Sequence, residues 1–319
     1  MIDRSQTTGM EDHGRRARLV PAPLLVLGSV LAVQTGQALG KTMFAEVGAL
    51  GVVTLRLAFA AAILLVLWRP RPPRRDALPL IGFLGAAIAG MQFIYPAMER
   101  LPVGIASTVQ FLGPLTLALA GARRAADLLW TALAALGVVL IYRPGDGAEA
   151  APSAAGVAFA LASGGFMAAY LVLNKRVGAR GADGAELTWA VVFAALITLP
   201  LGPATAGTAL LGGEVLLAGA ATALVSAVLP WSLDQAALRR LPERVVAVMV
   251  SLEPAAGAMA GLMLLDERLA WPQWFAIGCV SVASAGVAVS IQSRPRGSPG
   301  GSHPDRAWCE RDIASRSGR

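Results

Sequence analysis

The amino-acid sequence predicts an all-α integral membrane protein: ten transmembrane helices built as two inverted five-helix repeats, with both termini cytoplasmic. Three observations carry that reading. Apolar blocks of roughly the twenty residues needed to cross about 30 Å of hydrocarbon cover most of the chain from Leu24 to Ile291. Lys and Arg fall almost entirely in alternate connections between those blocks. Two stretches, one in each half, repeat a single pattern.

The 319 residues are 55% hydrophobic and 15% charged, against roughly 45–50% and 25% in a soluble domain. The net charge of +7 comes from short basic clusters between apolar blocks. Nucleic-acid binding would need a basic stripe on one face, so no nucleic acid is expected as a partner; the partner is the lipid bilayer. The 2 cysteines and 2 histidines suggest no disulfide, metal site or cofactor. His13, His303 and Cys309 lie in the tails, leaving Cys279 alone in a span. Arg15, Arg16 and Arg18 before an apolar stretch have the look of a signal peptide. Nine further blocks follow that stretch, so a retained first helix is expected.

Breaks at Pro, Gly and charge clusters divide the first half into Leu24–Leu39, Val47–Trp68, Leu78–Met98, Val103–Ala122 and Leu128–Tyr142. The second half divides into Ala154–Leu173, Leu187–Leu201, Val215–Leu233, Val245–Leu265 and Trp271–Ile291. The seventh span is the weakest, because Pro200 and Pro203 cut it short. The domain plan is a cytoplasmic tail over 1–23, a first repeat over 24–142, an external linker over 143–153 and a second repeat over 154–291. A disordered, Gly-, Ser-, Pro- and Arg-rich cytoplasmic tail over 292–319 completes it.

Orientation follows from the 27 Lys and Arg. With the N-terminus inside, only Lys41, Arg100, Arg143 and Arg268 fall outside and Arg56 falls within a span; all the others are cytoplasmic. The positive-inside rule therefore selects N-in and C-in, and an odd number of spans would spoil the partition.

Arg100–Gly121 reads RLPVGIASTVQFLGPLTLALAG, and Arg240–Gly261 reads RLPERVVAVMVSLEPAAGAMAG. Arg-Leu-Pro, a central Leu-x-Pro and a closing Ala-x-Ala-Gly coincide without a gap. The first copy opens the fourth span from outside and the second opens the ninth from inside, so the halves are inverted. Two such halves can exchange conformations about a central site, which is how inverted-repeat transporters work. Pro114 and Pro254 lie mid-span, where each frees a carbonyl; they can act as kinks, as gating elements or as ligand contacts.

These residues resemble the drug/metabolite transporter superfamily, with its EamA-type repeats, from about Leu24 to Ile291. The stretches that carry the likeness are Gln37-Ala-Leu-Gly-Lys-Thr-Met-Phe, Thr54-Leu-Arg-Leu-Ala, Leu101-Pro-Val-Gly-Ile-Ala and Phe111-Leu-Gly-Pro-Leu in the first half. In the second half they are Ser251-Leu-Glu-Pro-Ala and Leu265-Asp-Glu-Arg-Leu. Within the superfamily the chain is most similar to bacterial exporters of threonine and homoserine. The resemblance implies export of small neutral amino acids across the plasma membrane, with the proton as coupling ion. It also implies a cavity walled by spans one to four and six to nine, with five and ten peripheral.

An amino-acid substrate needs a cation or helix N-termini for its carboxylate, and an anion or carbonyls for its ammonium. Arg56 is the one cation deep in a span; it can meet the substrate carboxylate, satisfy helix-end carbonyls, or pair with Glu46. Glu253 is the best-placed acid, suited to proton coupling, to pairing with Arg56 or to capping a broken helix. Gln34, Gln37, Gln92 and Gln110 can line a cavity or bond helix to helix. Tyr95, Tyr170 and Trp189 can contact substrate, pack, or belong to the interfacial belt. Lys41, Asn174 and Lys175 are expected to snorkel to headgroups, and Asp234 and Gln235 to be solvated.

Thr35-Gly-Gln-Ala-Leu-Gly-Lys-Thr42 echoes a phosphate-binding loop, but Thr35 occupies the leading glycine position and no strand precedes it. The Gly36-x-x-x-Gly40 and Gly257-x-x-x-Gly261 spacings are better read as close helix packing. An enzyme would gather His, Asp or Cys at one membrane face, and the sequence shows no such cluster. The alternatives to an amino-acid exporter are a carrier of another small metabolite or a cationic drug on the same fold, and a membrane-embedded protein that does not transport. Nothing in the sequence signals oligomeric state.

Overall fold

The computed structural model describes residues 21–120, 125–141, 152–178, 185–238, 240–241 and 243–292. Nearly all of both tails, most of the expected linker, and Arg123, Arg124, Pro242, His13, His303 and Cys309 lie outside the described residues. Every described element is a helix. Nine stretches are long and apolar enough to cross a membrane, and Leu128–Ile141 is an apolar but shorter one.

The first half comprises α1 (Ala22–Thr42), α2 (Phe44–Trp68), α3 (Leu78–Met91), α4 (Ile94–Met98), α5 (Val103–Ala120) and α6 (Ala125–Ile141). The second half opens with α7 (Ala154–Gly178), α8 (Ala185–Thr198), α9 (Leu201–Ala206) and a 3-10 turn (Gly207–Leu211). After it come α10 (Gly213–Ala223), a π segment (Leu224–Val228), α11 (Leu229–Leu238), α12 (Glu243–Val250), α13 (Glu253–Leu265) and α14 (Trp271–Gln292).

Proline explains where the helices break. A proline ring clashes with the carbonyl four residues before it and offers no N–H to it. Pro254 points back to Val250, where α12 ends, and then itself occupies the first turn of α13, where a missing N–H costs nothing. Pro96 points back to Gln92, where the ladder changes: Gln92 and Phe93 donate to Ala89 and Gly90, three residues back. Pro114, by contrast, is carried inside an unbroken α5.

The seventh span departs from expectation. It is not cut short at Leu201; helical chain continues from Ala185 to Leu211, because Pro200 caps a new helix, α9, instead of ending the run. At the start of α2, Gly48 (φ 65°, ψ 171°) interrupts the helix in a conformation that favours glycine. The helix resumes at Ala49, whose N–H donates to Glu99 Oε1 at 2.8 Å.

The halves interdigitate instead of forming separate bundles. In one direction α1 packs on α11 and α13, and in the other α7 packs on α3 and α5. Likewise α2 packs on α10, while α8 packs on α3. The largest apolar core, which includes Leu57, Leu84, Met98, Ile105 and Val191, lies among the inner helices. Helices α6 and α14 pair with one another around a small cluster of their own with Leu115, Ala134, Ala283 and Val287. Outward-facing side chains such as Phe83 (67% exposed) and Leu217 (74% exposed) are apolar, as a lipid-facing surface requires.

Two contacts give helix directions. Glu267, just past α13, accepts from the N–H of Val103, the first residue of α5, so α5 begins where α13 ends. Trp189, near the start of α8, donates to the carbonyl of Arg71, just past α2. Midway along, Thr54 of α2 donates to the carbonyl of Thr198 at the far end of α8. Each pair runs antiparallel.

Candidate functional site

The candidate site is built on Arg56 of α2, which is 8% exposed. A guanidinium taken out of water is strongly disfavoured unless its N–H groups are satisfied, and here three are. Nε donates to Ser226 Oγ at 2.6 Å, Nη2 to the Ser226 carbonyl at 3.0 Å and Nη1 to Gln92 Oε1 at 2.7 Å. The guanidinium carbon lies 5.7 Å from the centre of the Tyr95 ring, within cation–π range. Among the described residues no carboxylate pairs with it, and Glu46 is exposed.

Each partner is held by the local fold. Ser226 sits in the π segment, and Pro230, four residues on, has no N–H to give its carbonyl. That freed carbonyl is the one Arg56 takes. The Ser226 hydroxyl donates to the Thr222 carbonyl at 2.6 Å, which leaves its lone pairs facing Arg56. Gln92 is fixed by donating Nε2 to the Ile88 carbonyl at 2.9 Å, at the break that Pro96 imposes. Tyr95 is 0% exposed; its hydroxyl lies beside Ser226 yet has no hydrogen-bond partner, and neither does the buried Gln37 Oε1. The glycine spacing on α1 lets this layer close: a Cβ on Gly36 would come within 2.5 Å of Ser226, and one on Gly40 within 3.0 Å of the Tyr95 ring.

A guanidinium carries five N–H donors, so after these three bonds it retains donors and a full positive charge. Carboxylate is the anion that matches such a fork. The site offers in addition the buried, unpartnered Tyr95 hydroxyl, which suits an ammonium or hydroxyl.

Other sequence candidates lie elsewhere. Gln110 Nε2 donates to Ser163 Oγ at 2.7 Å, and that hydroxyl donates to the Met91 carbonyl at 2.6 Å, joining α5, α7 and α3. Gln34 Oε1 accepts from Ser107 at 3.2 Å over Gly257, where a side chain would collide with both. These two glutamines bond helix to helix. Trp189 is tied to the Arg71 carbonyl, away from Arg56. Glu253 is half-buried in the first turn of α13, a place where the helix dipole favours an anion, and it does not pair with Arg56. Asp234 lies within electrostatic reach of both Glu253 and Tyr170; all three are half-buried, so Asp234 is not the simply solvated end residue that its position suggested. Nor does Lys41 snorkel: its Nζ donates to Glu267 Oε1 at 2.8 Å.

Ser226, Thr222, Ser163 and Glu267 are polar positions that reading by residue type passes over. The signal for Ser226 was present, since Pro230 four residues later announces a free carbonyl there. Among the described residues no group of three or more His, Cys, Asp or Glu could hold a metal ion.

Residues 154–289 match the EamA-like transporter family. A curated relative, the threonine/homoserine exporter RhtA of Salmonella typhimurium strain SL1344, is 36% identical over 277 residues, 86% of this chain and 93% of the relative. The chain belongs to the EamA-like transporter family. The Escherichia coli K12 protein with the same description is 35% identical over the same shares of both chains. A solved crystal structure superposes on this EamA-family chain with a TM-score of 0.57 at 20% identity, over 85% of this chain and 96% of that one. That likeness speaks to the fold alone.

Proposed function

We propose that this chain is a secondary active transporter that exports small neutral amino acids of the threonine and homoserine kind across the plasma membrane. It works by alternating access and is driven by protons moving the other way. Ten helices span the bilayer as two inverted repeats, with both termini cytoplasmic. The antiparallel running of α5 against α13 and of α2 against α8 supports the inversion, because matched helices of parallel repeats would run the same way. The exchanged packing of α1 and α7 supports it too.

The observation that carries the substrate reading is the buried, uncompensated Arg56. Its guanidinium is the fixed cation for the substrate carboxylate. Gln92 and Ser226 orient it, while Gln37 and Tyr95 are the polar contacts for the rest of the molecule. Glu253, within electrostatic reach of Asp234, is the carboxyl that takes and releases the coupling proton.

The test is transport by the purified protein in liposomes. Labelled threonine or homoserine should be concentrated on the side from which protons are drawn, and dissipating the proton gradient should abolish the accumulation. Movement of some other metabolite or of a cationic drug, with no amino acid moved, would keep the fold and overturn the substrate.

A further inference from the structure

At the end of the molecule where α1 finishes, an ion pair ties together segments distant in the chain. Lys41 Nζ lies 2.8 Å from Glu267 Oε1 and also donates to the Leu101 carbonyl at 2.9 Å. The second carboxylate oxygen of Glu267 accepts from the Val103 N–H at 2.8 Å. That N–H belongs to the first turn of α5, where donors lack helical partners and an anion is favoured. One carboxylate thus neutralises a lysine and caps a helix, joining α1, α5 and the segment after α13. The two side chains are only 20% and 13% exposed, so water screens the pair less than it would on an open surface. By contrast Arg100–Glu99 and Arg268–Asp266 join near neighbours in the chain.

Along α5 burial is deepest beneath the pair, and the far end is held instead by a smaller cluster in which Val246, Met249 and Val250 of α12 pack against Val26, Val30 and Ala237. Every residue of α5 from Val103 to Phe111 is buried, whereas Leu112 to Pro114 are half-buried and Thr116 and Leu117 exposed. Of the described side chains of α12, Val245 to Val250, none is fully buried.

We propose that Lys41 and Glu267 are the outer gate: a pair that holds the external mouth closed in this conformation and must part for substrate to leave. This rests on the transporter reading and on the N-terminus being cytoplasmic, but its test does not depend on knowing the substrate. Parting the pair frees Lys41 from Glu267 Oε1, while Oε2 can keep its bond to the Val103 N–H, so α1 is the element released.

Val52, 1% exposed and against Gly40, the residue before Lys41, serves as reporter. In a protein carrying Cys279→Ala, Cys309→Ala and Val52→Cys, a membrane-impermeant maleimide outside right-side-out vesicles should label slowly. Adding Lys41→Gln or Glu267→Gln should raise the rate about tenfold or more, as loss of one partner of a shielded pair predicts; Lys41→Arg should leave it near the parent rate. No rise in either neutral variant overturns the gate. A rise only when reagent is added on the cytoplasmic side likewise overturns it, since the pair would then close the inner mouth. Should the neutral variants fail to fold, the unmodified protein decides. A carbodiimide should condense the Lys41 amine with the Glu267 carboxylate, with loss of water to the reagent, and mass spectrometry should detect the joined peptide. Its absence, while other carboxylates react, also overturns the proposal.

Discussion

Arg56 holds Ser226 at two points, its Nε on the hydroxyl at 2.6 Å and its Nη2 on the carbonyl at 3.0 Å. The second bond exists because Pro230 cannot supply the helical N–H that this carbonyl would otherwise accept. A buried cation is thereby oriented by a backbone defect. Helical defects of this kind, π segments included, recur at functional sites.

Restoring the N–H should therefore weaken the site without weakening the fold. Pro230→Ala lets the helix compete for the Ser226 carbonyl, so we expect poorer substrate affinity, by about threefold to tenfold, with a thermal midpoint equal to or above the parent's. Equilibrium binding and thermal unfolding of the purified variant check both halves of that statement.

Gly36 tests the packing that closes the layer. The methyl of Gly36→Ala would lie 2.5 Å from the Ser226 Cβ, and overpacking of this kind costs about 1–3 kcal/mol. A lowered unfolding temperature is expected, whereas Gly165→Ala, with open space at its Cβ, should unfold at the parent temperature.

Glu253 tests coupling. Glu253→Gln keeps the shape and removes the titrating proton, so exchange of labelled for unlabelled substrate should persist while uphill accumulation under a proton gradient is lost. Undiminished accumulation would remove Glu253 from the coupling role.

Trp189 and Gln110 supply negative controls. Trp189 is bonded to the Arg71 carbonyl and Gln110 to Ser163, so Trp189→Phe and Gln110→Met should leave substrate affinity within about twofold of the parent while lowering stability by about 1 kcal/mol each. A large affinity loss with unchanged stability would bring them back into the site.

Much of the helical fold was legible in the sequence because bilayer thickness imposes a long apolar length on spanning helices, and nine of the described stretches have it. The helix ends of the second and third spans fall at Trp68 and Met98, as composition indicated. The seventh span misled, because Pro200 reads as a stop until its place as a helix cap is known. Arg56, Gln92 and Tyr95 were legible as costly polar groups in apolar stretches, and the structure brings them together. Tyr170 and Trp189 were picked on the same grounds and lie elsewhere, since residue type does not tell which face of a helix meets which neighbour. Lys41 was misread for a related reason: a span-end lysine snorkels unless an acid from a distant segment meets it, and Glu267 is far away in the chain. Hydroxyl groups such as Ser226 are cheap enough in a helix to pass unnoticed, and only the proline downstream marks this one.

The central claim is that Arg56 receives the carboxylate of an amino-acid substrate. Competition binding of threonine and of threoninol, which lacks the carboxylate, to the parent and to Arg56→Gln tests it most directly. The parent should favour threonine by about tenfold or more, the worth of a charge-assisted pair, and Arg56→Gln should bind the two nearly equally. A preference for threonine that survives intact in the folded variant would contradict the account.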